Sequence, residues 1–91
     1  MADPRKLSYL DSIGPAMLRD FELLKIRSVA QLAKQDPKKL YDRLCKITRT
    51  RQDPCVLDTF CCAVAQAKDP HLPKAQRQWH WWSRKRKTER P

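Results

Sequence analysis

The sequence predicts a small all-α fold of about five short helices, from three observations. Good helix formers make up most of the chain, with few β-branched runs. A single glycine disfavours glycine-rich phosphate loops and dinucleotide-binding folds. Asp-Pro occurs four times, a typical helix start because Asp caps the helix and Pro needs no hydrogen bond in the first turn. At 91 residues, one domain is the upper limit.

These Asp-Pro pairs, with the apolar spacing and a cap at Ser28, place the five elements in order. The fourth pair, Asp69-Pro70, follows a long helix and is expected to end it. We expect the core domain to cover residues 1–70. A basic, tryptophan-containing segment, either a tail or an appended short helix partly docked on the core, is expected to cover 71–91. The predicted helices are 4–12, 15–25, 29–35, 37–46 and 54–68. The predicted buried side chains are Leu10, Ile13, Leu18, Phe21, Leu32, Leu40, Leu44, Leu57, Phe60, Cys61 and Val64.

The net charge is +10 and is unevenly distributed. Residues 1–70 carry 13 Lys and Arg against nine acidic residues, whereas residues 71–91 carry seven against one. This bias favours an anionic partner, first of all nucleic acid, although a basic surface can also serve solubility alone. No apolar run resembles a leader or a membrane span. We therefore expect a cytoplasmic, monomeric protein with reduced cysteines and no membrane partner.

Two parts of the sequence carry a family resemblance. Residues 10–16 (LDSIGPA) resemble the bend of the helix-hairpin-helix motif, where an apolar residue and a glycine join two crossed helices. Residues 36–45 (DPKKLYDRLC) and 52–57 (QDPCVL) resemble the small bacterial "pathogenicity locus" family, whose members are also labelled mitomycin resistance proteins. The resemblance covers about residues 5–82. It implies two tandem helix-hairpin-helix units and, by analogy, DNA binding.

At the first bend, the motif presents helix N-terminal amides to a phosphate. The candidate ligands are the amides around Ile13, Gly14 and Ala16, with Arg19 one turn further on. Gly14 is expected to allow close approach or a positive φ. Ser12 occupies the position where the motif usually has its first glycine, and is included among the candidate contacts.

The second bend has no glycine, and Arg49 stands about where relatives would have one. Lys46, Arg49 and Arg51 place three cations there, with Thr50 between the two arginines. These side chains are candidates to replace amide contacts with charged contacts to phosphate. An alternative interpretation is that both degenerate hairpins only hold the helices together.

In the C-terminal segment, Trp79 and Trp82 are expected to fold back onto the core. Trp81 then points elsewhere and is a candidate for base stacking. The cluster Arg84, Lys85, Arg86 and Lys87 is expected to belong to a mobile tail that adds non-specific DNA affinity.

The four cysteines include no CxxC pair, so no metal site is predicted. Cys55, in the first turn after Pro54, is a candidate reactive thiol, but nearby Asp53 opposes a lowered pKa. No catalytic constellation is present, and we expect neither enzymatic activity nor a cofactor.

Three functional hypotheses follow from these features. The first is sequence-independent binding of duplex or single-stranded DNA through backbone phosphates, in repair, competence or drug resistance. The second is a protein-interaction adaptor with structural hairpins, which would bind a protein partner without DNA. The third, less favoured, is a thiol-based redox protein.

Overall fold

The computed structural model describes residues 5–88 and confirms the all-α class. The described chain contains five α-helices and two 3-10 turns. The first 3-10 turn is Leu7–Tyr9, and the second is Lys74–Arg77. The helices are α1 (Pro15–Leu23), α2 (Val29–Leu32), α3 (Pro37–Thr48), α4 (Pro54–Lys68) and α5 (Trp79–Thr88).

The helix starts predicted from the caps are confirmed. Asp36 accepts a hydrogen bond from the Lys38 amide (2.9 Å), and Asp53 accepts one from the Cys55 amide (2.8 Å). Ser28 caps α2 in the same way, and in α3 and α4 a proline fills the first helical position. Asp69 is the C-cap of α4, as expected for a helix-ending Asp-Pro. The Asp3-Pro4 pair lies outside the described residues.

The predicted helix 4–12 is wrong over its described part, where only the 3-10 turn Leu7–Tyr9 forms. The Tyr9 amide donates to the Lys6 carbonyl (2.9 Å), and the Leu10 amide donates to the Leu7 carbonyl (3.2 Å). The backbone of Leu10 is then extended, so the turn does not continue as a helix. The following Asp11 pairs its backbone with the buried side chain of Gln66. A tertiary contact therefore replaces the local helix.

Helix α4 lies at the centre of the fold and packs against α2, α3 and α5. Besides Cys61, ten apolar side chains were predicted to be buried, and seven of them are. The other three, Ile13, Leu18 and Leu57, remain partly exposed. Cys62, and not Cys61, is the fully buried cysteine. The core side chains are Leu10, Met17, Phe21, Leu24, Ile26, Val29, Leu32, Leu40, Tyr41, Leu44, Phe60, Cys62, Ala63, Val64 and Ala67.

Helices α1 and α3 end in the same left-handed turn without glycine. Lys25 (φ 61°) and Arg49 (φ 54°) each donate to the carbonyl three residues back, and the next residue donates to the carbonyl five residues back. This is the Schellman arrangement, in which glycine usually supplies the positive φ. The third left-handed residue is Ser12 (φ 68°), at the first bend.

The C-terminal segment docks on the core through α5, which packs along α4. The predicted mobile tail is wrong for residues 84–88, because they are helical; residues 89–91 lie outside the described range. Trp82 is partly buried and donates from Nε1 to the Gln76 carbonyl (2.8 Å). Trp79 was expected to face inward, but it remains 37% exposed, and Ser83 is the buried residue of α5.

Candidate nucleic-acid interface

The first bend, residues 10–15, presents backbone amides at the start of α1. Gly14 is the N-cap and supplies no side chain to bind them. Within residues 5–88, the amides of Ile13, Gly14 and Ala16 have no hydrogen-bond acceptor. Gly14 and Ala16 are exposed, and so is Arg19 one turn on. The bend can therefore offer donors to an anion at the positive end of a helix dipole.

The side chains of the first bend are already engaged by the C-terminal segment. Ser12 Oγ donates to the Arg77 carbonyl (3.1 Å) and accepts from the Trp79 amide (3.1 Å). Asp11 forms an ion pair with Arg77 (3.4 Å). Ser12 thus supplies the cap that the N-terminus of α5 lacks locally, a role that its position in the sequence did not predict.

The conformational role predicted for Gly14 is partly wrong. Its φ is −98°, an ordinary extended value, and the left-handed residue is Ser12 two positions earlier. A Cβ built on Gly14 meets nothing within 4 Å. The protein itself does not require glycine at this position, so any requirement for a small residue there would come from a ligand.

The second bend, residues 49–53, presents side-chain cations. Lys46, Arg49 and Arg51 are all exposed, as is Thr50. Among the residues that the structure describes, none of the three cations forms an ion pair. These three cations, of which Lys46 lies in the last turn of α3, form a positive surface that suits phosphate.

The amides of the second bend, unlike those of the first, are largely satisfied within the chain. Those of Arg49 and Thr50 complete the turn that ends α3, and that of Gln52 donates to Cys45 Sγ (3.4 Å). Asp53 takes the first-turn amide of α4, and the hydrogen bond from Cys55 lowers the pKa of its carboxyl below the ordinary value. Phosphate contacts here would have to come from side chains.

The basic cluster of α5 divides into two groups. Arg86 donates from Nε and Nη2 to the two carboxylate oxygens of Asp58 (2.9 and 3.1 Å), and only 2% of the Asp58 side chain is exposed. This bond raises the pKa of Arg86. Arg86 therefore anchors α5 to α4, whereas Arg84, Lys85 and Lys87 are exposed.

Trp81 lies on α5 beside the exposed cations and is partly exposed. The Lys85 ammonium lies 5.7 Å from the Trp81 ring centroid and 5.2 Å from that of Trp82. The two rings meet edge to face, with centroids 5.0 Å apart. Both rings are partly exposed, but Trp81 lines an open depression on α5, whereas Trp82 lies against Cys61 and Val64 of α4.

The surroundings of three cysteines, Cys55, Cys61 and Cys62, oppose thiol activation. All four are free. The thiol of Cys55 donates to the Asp53 carboxylate, and this bond raises its pKa. Burial raises the pKa of Cys61 and takes that of Cys62 to about 11. These surroundings disfavour the thiolate that a redox role would need.

Two buried polar residues of α4 were missed from the sequence. Gln66 Oε1 accepts from the Asp11 amide (2.8 Å), and its Nε2 donates to the Asp11 carbonyl (2.9 Å). Asp58 binds Arg86 as described. With Cys62, these residues share one helical face at intervals of four, so polar residues on an apolar face were the available signal.

Neither a membrane span nor a metal site is found in the described part of the chain. Each helix within residues 5–88 is too short or too polar to span a lipid bilayer. No group of three or more His, Cys, Asp or Glu side chains within residues 5–88 is placed to hold a metal ion.

Comparison with known proteins agrees with the resemblance. The mitomycin resistance protein McrB of Streptomyces lavendulae is 40% identical over 80 residues, which are 88% of this chain and 73% of that protein. No solved structure matches the chain. The sequence model described as "Pathogenicity locus" matches residues 2–88. The chain therefore belongs to the pathogenicity locus family.

Proposed function

We propose that this protein binds DNA without sequence preference, through backbone phosphates. The observation that carries the proposal is the second bend with the end of α3 before it, where Lys46, Arg49 and Arg51 are exposed and form no ion pair with any residue of 5–88. Binding of such a cation cluster to DNA is favourable because the side chains neutralise phosphates and release the counterions that were held there.

The first bend supports the same proposal by a different chemistry. Its amides at Ile13, Gly14 and Ala16, which have no acceptor within residues 5–88, are donors for a phosphate oxygen, with Arg19 one turn on. The proposed pair of bends corresponds to tandem helix-hairpin-helix units, of which the second has two α-helices and the first only one. Because amides and basic side chains address phosphates, they read no base sequence.

A role in drug resistance follows as part of this proposal. The Streptomyces relative is named a mitomycin resistance protein. We propose that this chain contributes to mitomycin resistance or DNA repair by holding DNA, without chemistry of its own. Restoration of mitomycin tolerance in a sensitive bacterial strain by the wild-type gene, and not by a variant that has lost DNA binding, would test this link.

The primary experiment is a salt titration of binding to a duplex oligonucleotide. If about four to six phosphates are neutralised, the logarithm of the affinity falls against the logarithm of salt concentration with a slope of roughly −4 to −5. Fluorescence anisotropy with two unrelated sequences measures both the slope and the lack of sequence preference. A slope near zero, or a strong preference between the sequences, would contradict the proposal.

A matched pair of triple variants localises the site. Replacing Lys46, Arg49 and Arg51 with Gln should reduce the magnitude of the slope by roughly 2 to 3. The control replaces Lys34, Lys39 and Lys68 with Gln, since all three are exposed and form no ion pair among the described residues. Lys39 lies in the first turn of α3 and Lys68 at the far end of α4, about 15 and about 21 Å along these helices from the second bend. The control should retain most of the slope.

Equal losses in the two triple variants would mean that only the total charge matters. Absence of DNA binding by the folded wild type would favour the adaptor hypothesis. Removal of residues 83–91 is a poor substitute for these variants, because it deletes Arg86 and leaves Asp58 buried without its partner.

A further inference from the structure

One face of α5 combines an aromatic ring with exposed cations. Trp81, Arg84, Lys85 and Thr88 follow one another at intervals of three or four residues, so they share a helical face. They line an open depression of about 320 Å³. Sites for small ligands begin at roughly this volume, about 300 Å³.

The opposite face fixes the orientation of this surface. Ser83 is buried, Trp82 is hydrogen-bonded to the Gln76 carbonyl, and Arg86 makes two hydrogen bonds to the buried carboxylate of Asp58. Ser12 holds the first amide of the helix. The outward face is thus presented by a helix tied to the core at both ends.

The charge of this face is complementary to a nucleic-acid strand. Residues 79–88 contain no acidic residue. Arg84 is exposed and forms no ion pair with any described residue. An aromatic ring beside exposed cations is the combination by which proteins hold single strands, since bases stack on rings and cations follow the backbone.

We infer that this face of α5 is a subsite for single-stranded DNA, with one base stacked on Trp81 and the adjoining phosphate bound by Arg84. The inference rests on the proposed DNA binding and adds a preferred form of DNA to it. The Lys85 ammonium lies 5.7 Å from the Trp81 ring centroid, so it borders this subsite.

The strand state matters because duplex bases have no free face. In a duplex each base is stacked on its neighbours, so Trp81 can take a base only after costly unstacking, whereas single strands offer base faces directly. Phosphates are accessible in both forms. The ring contact therefore distinguishes single strands, and the charge contacts do not.

The test compares Trp81→Leu with Trp79→Leu, a control on the same helix whose ring is exposed but outside the depression. The probes are an oligothymidylate of about 20 nucleotides and a duplex of equal length. Trp81→Leu should weaken oligothymidylate binding by about 5- to 100-fold, as expected for one lost stacked base, and leave duplex binding within about twofold. Trp79→Leu should change neither by more than about twofold.

Two further variants keep the test decisive if Trp81→Leu impairs folding, which circular dichroism will reveal. Trp81→Phe retains a ring and should lose less affinity than the leucine variant. Arg84→Gln, which disturbs no buried contact, should reduce the oligothymidylate salt slope by about 0.7.

Equal losses on both probes, or no loss on oligothymidylate, would overturn the single-strand subsite while leaving duplex binding intact. Failure of the wild type to bind either probe would overturn the proposed function itself.

Discussion

The two bends of this protein are held in different ways and expose different chemistry. The first bend depends on partners far along the chain, since its bonds to Gln66, Arg77 and Trp79 span 55 to 67 residues. The second bend is held by its own helix, through contacts of Gln52 with residues of α3 that lie 4 to 11 positions earlier. The first exposes amides, and the second exposes cations.

This difference shows two independent routes to a phosphate-binding surface. Amides at the first bend are displayed by a backbone that the tertiary structure holds in place, so their geometry depends on the whole fold. Cations at the second bend need only an exposed turn. We therefore expect substitutions that remove tertiary contacts to impair phosphate binding at the first bend. Substitutions that remove surface charge should impair phosphate binding at the second bend.

The largest expected effect is on stability, when the glutamine that supports each bend is replaced with alanine. Gln66→Ala removes both partners of the Asp11 backbone from a site where Gln66 is 3% exposed, and should lower the free energy of unfolding by about 2–3 kcal/mol. Gln52→Ala removes a side chain that donates to Thr48 Oγ1 (2.9 Å) in a partly exposed place, and should cost about 1 kcal/mol or less. Chemical denaturation followed by circular dichroism measures both.

The comparison between the bends would fail if Gln66→Ala lost no more stability than Gln52→Ala, with both losses at about 1 kcal/mol or less. In that case the long-range contacts of Gln66 would contribute no more to the fold than the local contact of Gln52.

The second effect separates the amides of the first bend from its fold. Gly14→Asp should support α1, because Asp is a good N-cap and a side chain meets nothing there. The same carboxylate would face an incoming phosphate, so duplex affinity should fall roughly 10-fold. Gly14→Asn, a matched cap without charge, should lose less affinity. Unchanged affinity in Gly14→Asp would remove the first bend from the DNA interface.

Much of the second bend could be predicted from the sequence. Asp36 and Asp53 cap the helices that precede and follow it, because an N-cap depends on the residues next to it. Arg49 was expected at a glycine-like position, and it is left-handed. Exposure of the cations at this bend also follows from local sequence, since a charged turn remains in water.

The first bend could not be predicted in the same way. Its helical start at 4–12 was lost because Asp11 pairs with Gln66, a contact between residues 55 positions apart. The left-handed residue is Ser12 and not the chain's single glycine. Likewise, Arg86 looked like a surface cation until its buried partner Asp58 was known. Sequence patterns report local preference, and these three residues are placed by tertiary contacts.

The third prediction concerns the left-handed residue of the second bend. Arg49→Gly should raise the free energy of unfolding by about 0.5–1 kcal/mol. Glycine adopts the left-handed conformation without strain, but part of this stabilisation is offset because glycine loses more conformational entropy on folding. It should also reduce the magnitude of the duplex salt slope by about 0.9. Lys25→Gly is the matched control: it relieves the same turn and removes the same charge, but lies outside the proposed interface. Its salt slope should stay close to that of the wild type.

The smallest expected effect is the pH dependence contributed by Asp53, the carboxylate that closes the second bend. Because its pKa in the folded protein is lowered by the hydrogen bond from Cys55, it stabilises the fold above its ordinary pKa of 3.8, and this contribution is lost as the pH falls through the lower folded value. Asp53→Asn keeps a capping side chain but does not titrate. The difference in unfolding free energy between wild type and variant should be constant from about pH 7 to about pH 5 and should change, in favour of the variant, at lower pH. Asp20, whose pKa is raised by burial, is common to both proteins, so its contribution cancels.

Asp53→Asn also removes a negative charge beside the cations, so it should tighten duplex binding at neutral pH. A variant that binds DNA more weakly than the wild type while remaining folded would show that the bend does not meet the phosphate backbone.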